Sequence, residues 1–141
     1  MSYLLDTNVV SNGIRPQPNE SLARWVSDQV DNELFLSAIS VAEIKRGILE
    51  LPSGRKRTAL EQWYSGTNGP RRMFGSRIVA FEERAAEAWA ELIADGRRKG
   101  RPRNPIDMMI AATAIANSLT VVTLNERDFE GVVAHLNPLR V

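Results

Sequence analysis

Apolar residues along the chain fall into short runs separated by longer stretches of helical periodicity. Tyr3-Leu4-Leu5 is a buried strand candidate, and Asp6-Thr7-Asn8 behind it reads as a turn or helix start. Leu22, Trp25, Val26 and Val30 recur at helical spacing, and Leu34-Phe35-Leu36 is a second strand candidate. Ser40-Val41-Ala42-Glu43 then opens a helix that carries Val41, Ile44, Ile48 and Leu51 on one side and stops near Pro52. A further helix with Leu60, Trp63 and Tyr64 fades into a loop from Gly66 to Gly75, and Arg77 to Phe81 is a third strand candidate. Ala85, Ala88, Trp89, Leu92 and Ile93 trace an apolar stripe of period 3.6 that ends before Pro102 and Pro105. Asp107 to Ser118 is apolar nearly all round, the mark of a centrally packed helix, and Thr120-Val121-Val122-Thr123 is a fourth strand.

Strands and helices alternate, which predicts an α/β chain on a parallel sheet with right-handed crossovers and helices on both faces. In such a sheet, ligands bind beyond the carboxyl ends of the strands. The 141 residues show no repeat, low-complexity segment or internal boundary, so one domain spanning 1–141 is expected.

Composition narrows the chemistry. Eighteen basic residues against seventeen acidic ones give a net charge of +1, so any affinity for a polyanion has to come from local clusters. The absence of cysteine excludes disulfides, thiolate metal sites and a cysteine nucleophile. The amino terminus lacks a basic n-region, Asp6 interrupts its apolar run, and Met108 to Ala116 falls short of the ~20 residues a membrane span needs. A soluble cytoplasmic protein is the expectation.

Three acidic residues occupy equivalent places: Asp6 after the first strand, Glu43 in the helix after the second, and Asp107 at the head of the apolar helix. Each has an ordinary explanation as well. Asp6 suits an N-cap, Ser40-x-x-Glu43 reads as a capping box, and Asp107, after the cap-and-N1 pair Asn104-Pro105, complements a helix dipole. Yet Ile110, Ala111 and Ala114 follow Asp107 at three, four and seven residues, so it heads the buried stripe. Asp128, in a turn that Asn125 could cap, would add a fourth carboxylate. Like charges crowded together are costly unless a cation lies among them. Oxygen ligands, with no cysteine and with the lone His135 read as a surface residue, suit magnesium or manganese rather than zinc. A carboxylate-held magnesium activates water against a phosphodiester without a covalent protein nucleophile. Aspartyl-nucleophile phosphatases of the haloacid dehalogenase type carry a second Asp two residues after the first, where this chain has Asn8.

The pieces Leu4-Leu5-Asp6-Thr7-Asn8-Val9-Val10-Ser11, Ser40-Val41-Ala42-Glu43-Ile44 with Gly47, Asp107 with Ile110-Ala111-Ala112-Thr113-Ala114, and Val121-Val122-Thr123-Leu124-Asn125 with Asp128-Phe129 resemble PIN-domain nucleases. Within that family the likeness is to VapC and FitB type toxins of bacterial toxin–antitoxin pairs. The resemblance implies a PIN-like three-layer α/β/α sandwich around a mainly parallel sheet of four to five strands. It also implies magnesium-dependent cleavage of RNA, leaving a 5′-phosphate and a 3′-hydroxyl, by a homodimer that a small antitoxin inhibits; DNA is met only through the antitoxin. Asp6, Glu43 and Asp107 match the family's acidic positions, with Asp6 and Asp107 as direct metal ligands and Glu43 as ligand or water positioner. Many members have Asp where Asn125 stands, which leaves Asp128 as a weaker fourth catalytic member and keeps open a catalytically weak RNA-binding or partner-binding module. Thr7, Asn8, Thr123 and Asn125 would orient the carboxylates and the metal's waters.

Arg55-Lys56-Arg57, Arg71-Arg72, and Arg97, Arg98 and Lys99 with Arg101 and Arg103 gather much of the basic charge, and the Arg97 to Arg101 group is the foremost candidate for an RNA backbone. Trp25, Trp63 and Trp89 fit apolar stripes and are expected to pack rather than to stack on bases.

Overall fold

The strand β1 (Tyr3–Leu5) is three residues long yet occupies the centre of a five-stranded sheet in the computed structural model, which describes residues 1–141. It pairs in parallel with β2 (Leu34–Ser37) on one side and β4 (Thr120–Val122) on the other. β3 (Ile78–Val79) lies outside β2 and β5 (His135–Leu136) outside β4, giving the all-parallel order β3-β2-β1-β4-β5. The chain order reverses between β1 and β4, where open parallel sheets form a ligand crevice.

Side chains of a strand alternate between faces, and a parallel sheet covered on both sides needs apolar residues at consecutive positions. Leu4 and Val121 enter one core, with Met108, Ile110, Ala111 and Ala114 of α7 (Pro105–Ala116); Trp89, Leu92 and Ile93 of α6 (Glu83–Arg98) pack behind them. Leu5, Leu36 and Val122 enter the other, against Val9 of α1 (Thr7–Val10), Leu22 of α2 (Glu20–Ser27) and Phe74 of α5 (Pro70–Phe74). A third cluster joins Ile44 and Ile48 of α3 (Ala38–Leu49) to Tyr64 of α4 (Arg55–Ser65). The result is the expected α/β/α arrangement. All three tryptophans pack against these clusters, Trp25 edge-on to Tyr3 with ring centroids 5.2 Å apart.

Several elements depart from the expectations. Helix α2 ends at Ser27, which leaves Val30 outside it and exposed. The stretch expected to be a loop from Gly66 to Gly75 contains α5, started by Pro70 at its first position. Gly69 before it lies so close to the Trp63 and Tyr64 carbonyls that no Cβ would fit. The third strand is reduced to Ile78–Val79, and β5 is too short to have shown a periodicity. His135 lies on it half-buried, its Nδ1 3.0 Å from the Val133 carbonyl, rather than on the open surface. No helix is long and apolar enough to cross a membrane.

Candidate active site

Helix α3 begins three residues earlier than the Ser40-x-x-Glu43 pattern implies. Ser37 is its N-cap and accepts the Ile39 N–H at 3.0 Å, so the capping-box reading fails. Glu43 is therefore well inside the helix, with no orphan backbone group to satisfy. Its Oε1 instead accepts the Thr7 hydroxyl at 2.6 Å. Thr7 Oγ also lies 2.9 Å from the fully buried Ser40 Oγ. One hydroxyl has one proton, so Thr7 donates to the carboxylate and accepts from Ser40. Ser40, read from the sequence only as a cap, is thus a site residue; an inward small polar residue one turn before Glu43 was the available signal.

Asp6 does occupy the N-cap position of α1, and its Oδ1 accepts the Thr7 N–H at 2.8 Å. Capping accounts for only one oxygen. Oδ2 accepts the hydroxyl of Thr123, just past β4, at 2.8 Å, and that hydroxyl in turn accepts the Asn125 N–H at 2.9 Å. The Thr123 proton is committed to Asp6, across the point where the strand order reverses. Asn125 enters through its backbone while its side chain is exposed and caps nothing.

Asp107 sits in the first turn of α7, but the cap is Asn104, whose side chain accepts the Ile106 and Asp107 N–H groups at 2.9 and 3.0 Å. The Asp107 carboxylate has neither a hydrogen-bond donor nor a cation beside it. Burial pushes its pKa up to about 6, and the charges of Asp6, Asp128 and Glu43 add to the rise. Burial also raises Asp6 above the usual carboxylate range, against the hydrogen bonds from Thr123 and Thr7, with the charges of Glu43 and Asp128 adding to the rise. Asp128 is exposed on the turn Glu126–Asp128, anchored by the fully buried Phe129.

Four carboxylates from four separate segments thus act on one another. No three of them close into a ready-made cage. As donors they are hard carboxylate oxygens, of which magnesium takes one or two while keeping several of its waters. Asn8 adds a buried Oδ1 with no partner, an acceptor left over beside Asp6 and Thr7.

The basic groups divide. Arg98 and Lys99 pair with Asp95 at 3.8 and 3.1 Å, and Arg57 pairs with Glu61 at 2.6 Å. Arg97 and Arg101 are exposed and in no ion pair, and neither joins the carboxylate cluster.

Comparison with known proteins finds relatives along nearly the whole chain. The PIN domain family matches residues 3–134. The toxin FitB of Neisseria gonorrhoeae is 38% identical over 136 residues, covering 96% of both chains. The VapC ribonuclease Y4jK of Sinorhizobium fredii is 33% identical over 127 residues, covering 90% of this chain and 89% of its own. The solved structure of FitAB bound to IR36 DNA superposes with a TM-score of 0.89 at 35% identity, covering 99% of this chain and 96% of that one.

Proposed function

The chain belongs to the PIN-domain family, and on that footing we propose that it is a magnesium-dependent endoribonuclease acting as the toxin of a toxin–antitoxin pair. The observation that carries this reading is the convergence of Asp6, Glu43, Asp107 and Asp128, with the first and third pushed above their ordinary pKa by burial and by one another. A cluster whose charges oppose each other is stabilised by a cation placed among them.

Asp6 and Asp107 would hold the ion, Glu43 would ligate it or position a water, and Asp128 would be a weaker fourth member, with Mn2+ able to replace Mg2+. When bound, the metal supplies Lewis acidity: it activates water for attack on the phosphodiester and offsets charge on the leaving oxygen. The chain's own part is orientation. Thr123 fixes Asp6 and favours its ionised form, and Thr7, itself held by Ser40, fixes the Glu43 side chain in place. Arg97 and Arg101, free of ion pairs and exposed, are available to an RNA backbone. The ribonuclease Y4jK supports the substrate class and the toxin FitB the cellular role. A small antitoxin that silences the enzyme, a homodimeric state and contact with DNA only through the antitoxin belong to the same reading.

Purified protein with Mg2+ should cleave RNA, and Asp6→Asn and Asp107→Asn should each lower the rate by about a hundredfold or more. Equal cleavage by all three proteins would remove the nuclease assignment. RNA bound tightly but left uncut throughout a metal titration would establish a binding module instead.

A further inference from the structure

Asp6 and Glu43 are each aimed by a hydroxyl, whereas the Asp107 side chain has no such partner. Its position is set by backbone alone, and the backbone before it is pinned with unusual thoroughness. Arg103 is largely buried; its Nη1 donates to the Leu92 carbonyl at 2.7 Å and pairs with Asp95 at 3.0 Å. The Arg101 N–H donates to the Gly96 carbonyl at 2.8 Å. A Cβ on Gly96 would come within 2.9 Å of the Arg101 carbonyl and 3.1 Å of Arg103 Cγ, so the connection after α6 lies directly on that helix. One residue past the Asn104 cap, the Trp89 indole N–H donates to the Pro105 carbonyl at 3.0 Å.

We propose that Trp89, Asp95 and Arg103 form a clasp on α6 that positions Asp107 within the carboxylate cluster. They are positioning residues and touch neither RNA nor metal. The inference deepens the nuclease reading and rests on it. It also gives Arg103 a place apart in the basic run after Ala94: it meets Asp95 across the α6–α7 connection, whereas Arg98 and Lys99 reach the same carboxylate from the exposed end of α6.

Asp95→Asn separates the two roles, because it removes a negative charge. If the basic run acts mainly on RNA, the variant binds RNA more tightly, KM falls and kcat stays. The clasp predicts the opposite: kcat falls about tenfold, as for residues that orient a metal ligand, while KM stays within about twofold. Arg103→Met and Trp89→Phe, the latter losing only the indole donor, should show the same split. Arg103→Lys, which keeps the charge facing Asp95, should recover part of the loss. The Asp95→Asn/Arg103→Met double variant should be no slower than the slower single, since the pair acts as a unit. Amide hydrogen exchange gives a readout independent of activity: protection of residues 107–109 should drop in the variants while that of β1 and β4 is kept.

Wild-type protein that cuts no RNA would end the nuclease reading, leaving the exchange experiment to judge the clasp. An active wild type with unchanged kcat and unchanged exchange in Asp95→Asn and Trp89→Phe would overturn the clasp and leave the nuclease intact.

Discussion

Asp107 shows at the scale of one residue how a functional site opposes stability. Its carboxyl keeps its proton up to about pH 6 in the fold, against the ordinary 3.8. Between those values the folded state binds more protons than the unfolded one, so this group's contribution falls as pH rises through the window from about 4 to about 6. Above it the full penalty applies, at most about 3 kcal/mol for a rise of that size. Metal-free Asp107→Asn should therefore be more stable than the wild type at pH 8, by about 1–3 kcal/mol, with the gap closing towards pH 4.5. Urea unfolding in chelator at the two pH values measures this; a gap independent of pH would show that ionisation is not its source. The residue-scale lesson extends to Thr7 and Thr123, where one proton on each hydroxyl is committed to a named carboxylate oxygen.

At the scale of elements, the decisive feature is where α3 begins. With Ser37 as cap, Ser40 is free to face Thr7 and Glu43 is free to enter the site. Ser37→Ala should lose about 1 kcal/mol, seen as a fall in Tm of about 2–4 °C. Ser40→Ala keeps that cap and should lower RNA cleavage more than it lowers Tm. If Ser37→Ala melts like the wild type while Ser40→Ala loses the degrees, the helix starts where the sequence pattern suggested. The first turn of α7 follows the sequence pattern instead: Asn104 caps it ahead of Pro105, as that pair predicted, and the acid at Asp107 is left for chemistry.

The whole molecule decides whether the fourth carboxylate stays near the others. Phe129, fully buried against the core that holds Leu4 and Val121, ties the Glu126–Asp128 turn to the sheet. Phe129→Ala should cost about 3–5 kcal/mol, a large share of what an ordinary domain possesses. Chemical denaturation would show it as a lowered midpoint with the slope preserved; an unchanged midpoint would mean that Phe129 does not anchor this segment. The sheet order has a wider consequence, since β1 and β4 are neighbours although more than a hundred residues separate them, and Asp6 meets Thr123 only because of that pairing.

Local pattern was enough for the alternation of strands and helices, for the two-faced burial of Leu4-Leu5 and Val121-Val122, and for Asp6, Glu43 and Asp107 as the acids worth following. These are properties of neighbouring residues: periodicity, caps and turns act over a few positions and are written in the chain. The short strands at Ile78–Val79 and His135–Leu136 were not legible to the same degree, because two residues hold no period and are strands only through the partner beside them. Nor was the start of α3, where two serines three residues apart both suit a cap and packing against Thr7 selects between them. Which residues can do carboxylate chemistry follows from their identity and place in the chain. That four of them share one field and that Ser40 belongs with them are decided by the fold, since each is a relation between segments distant in the chain.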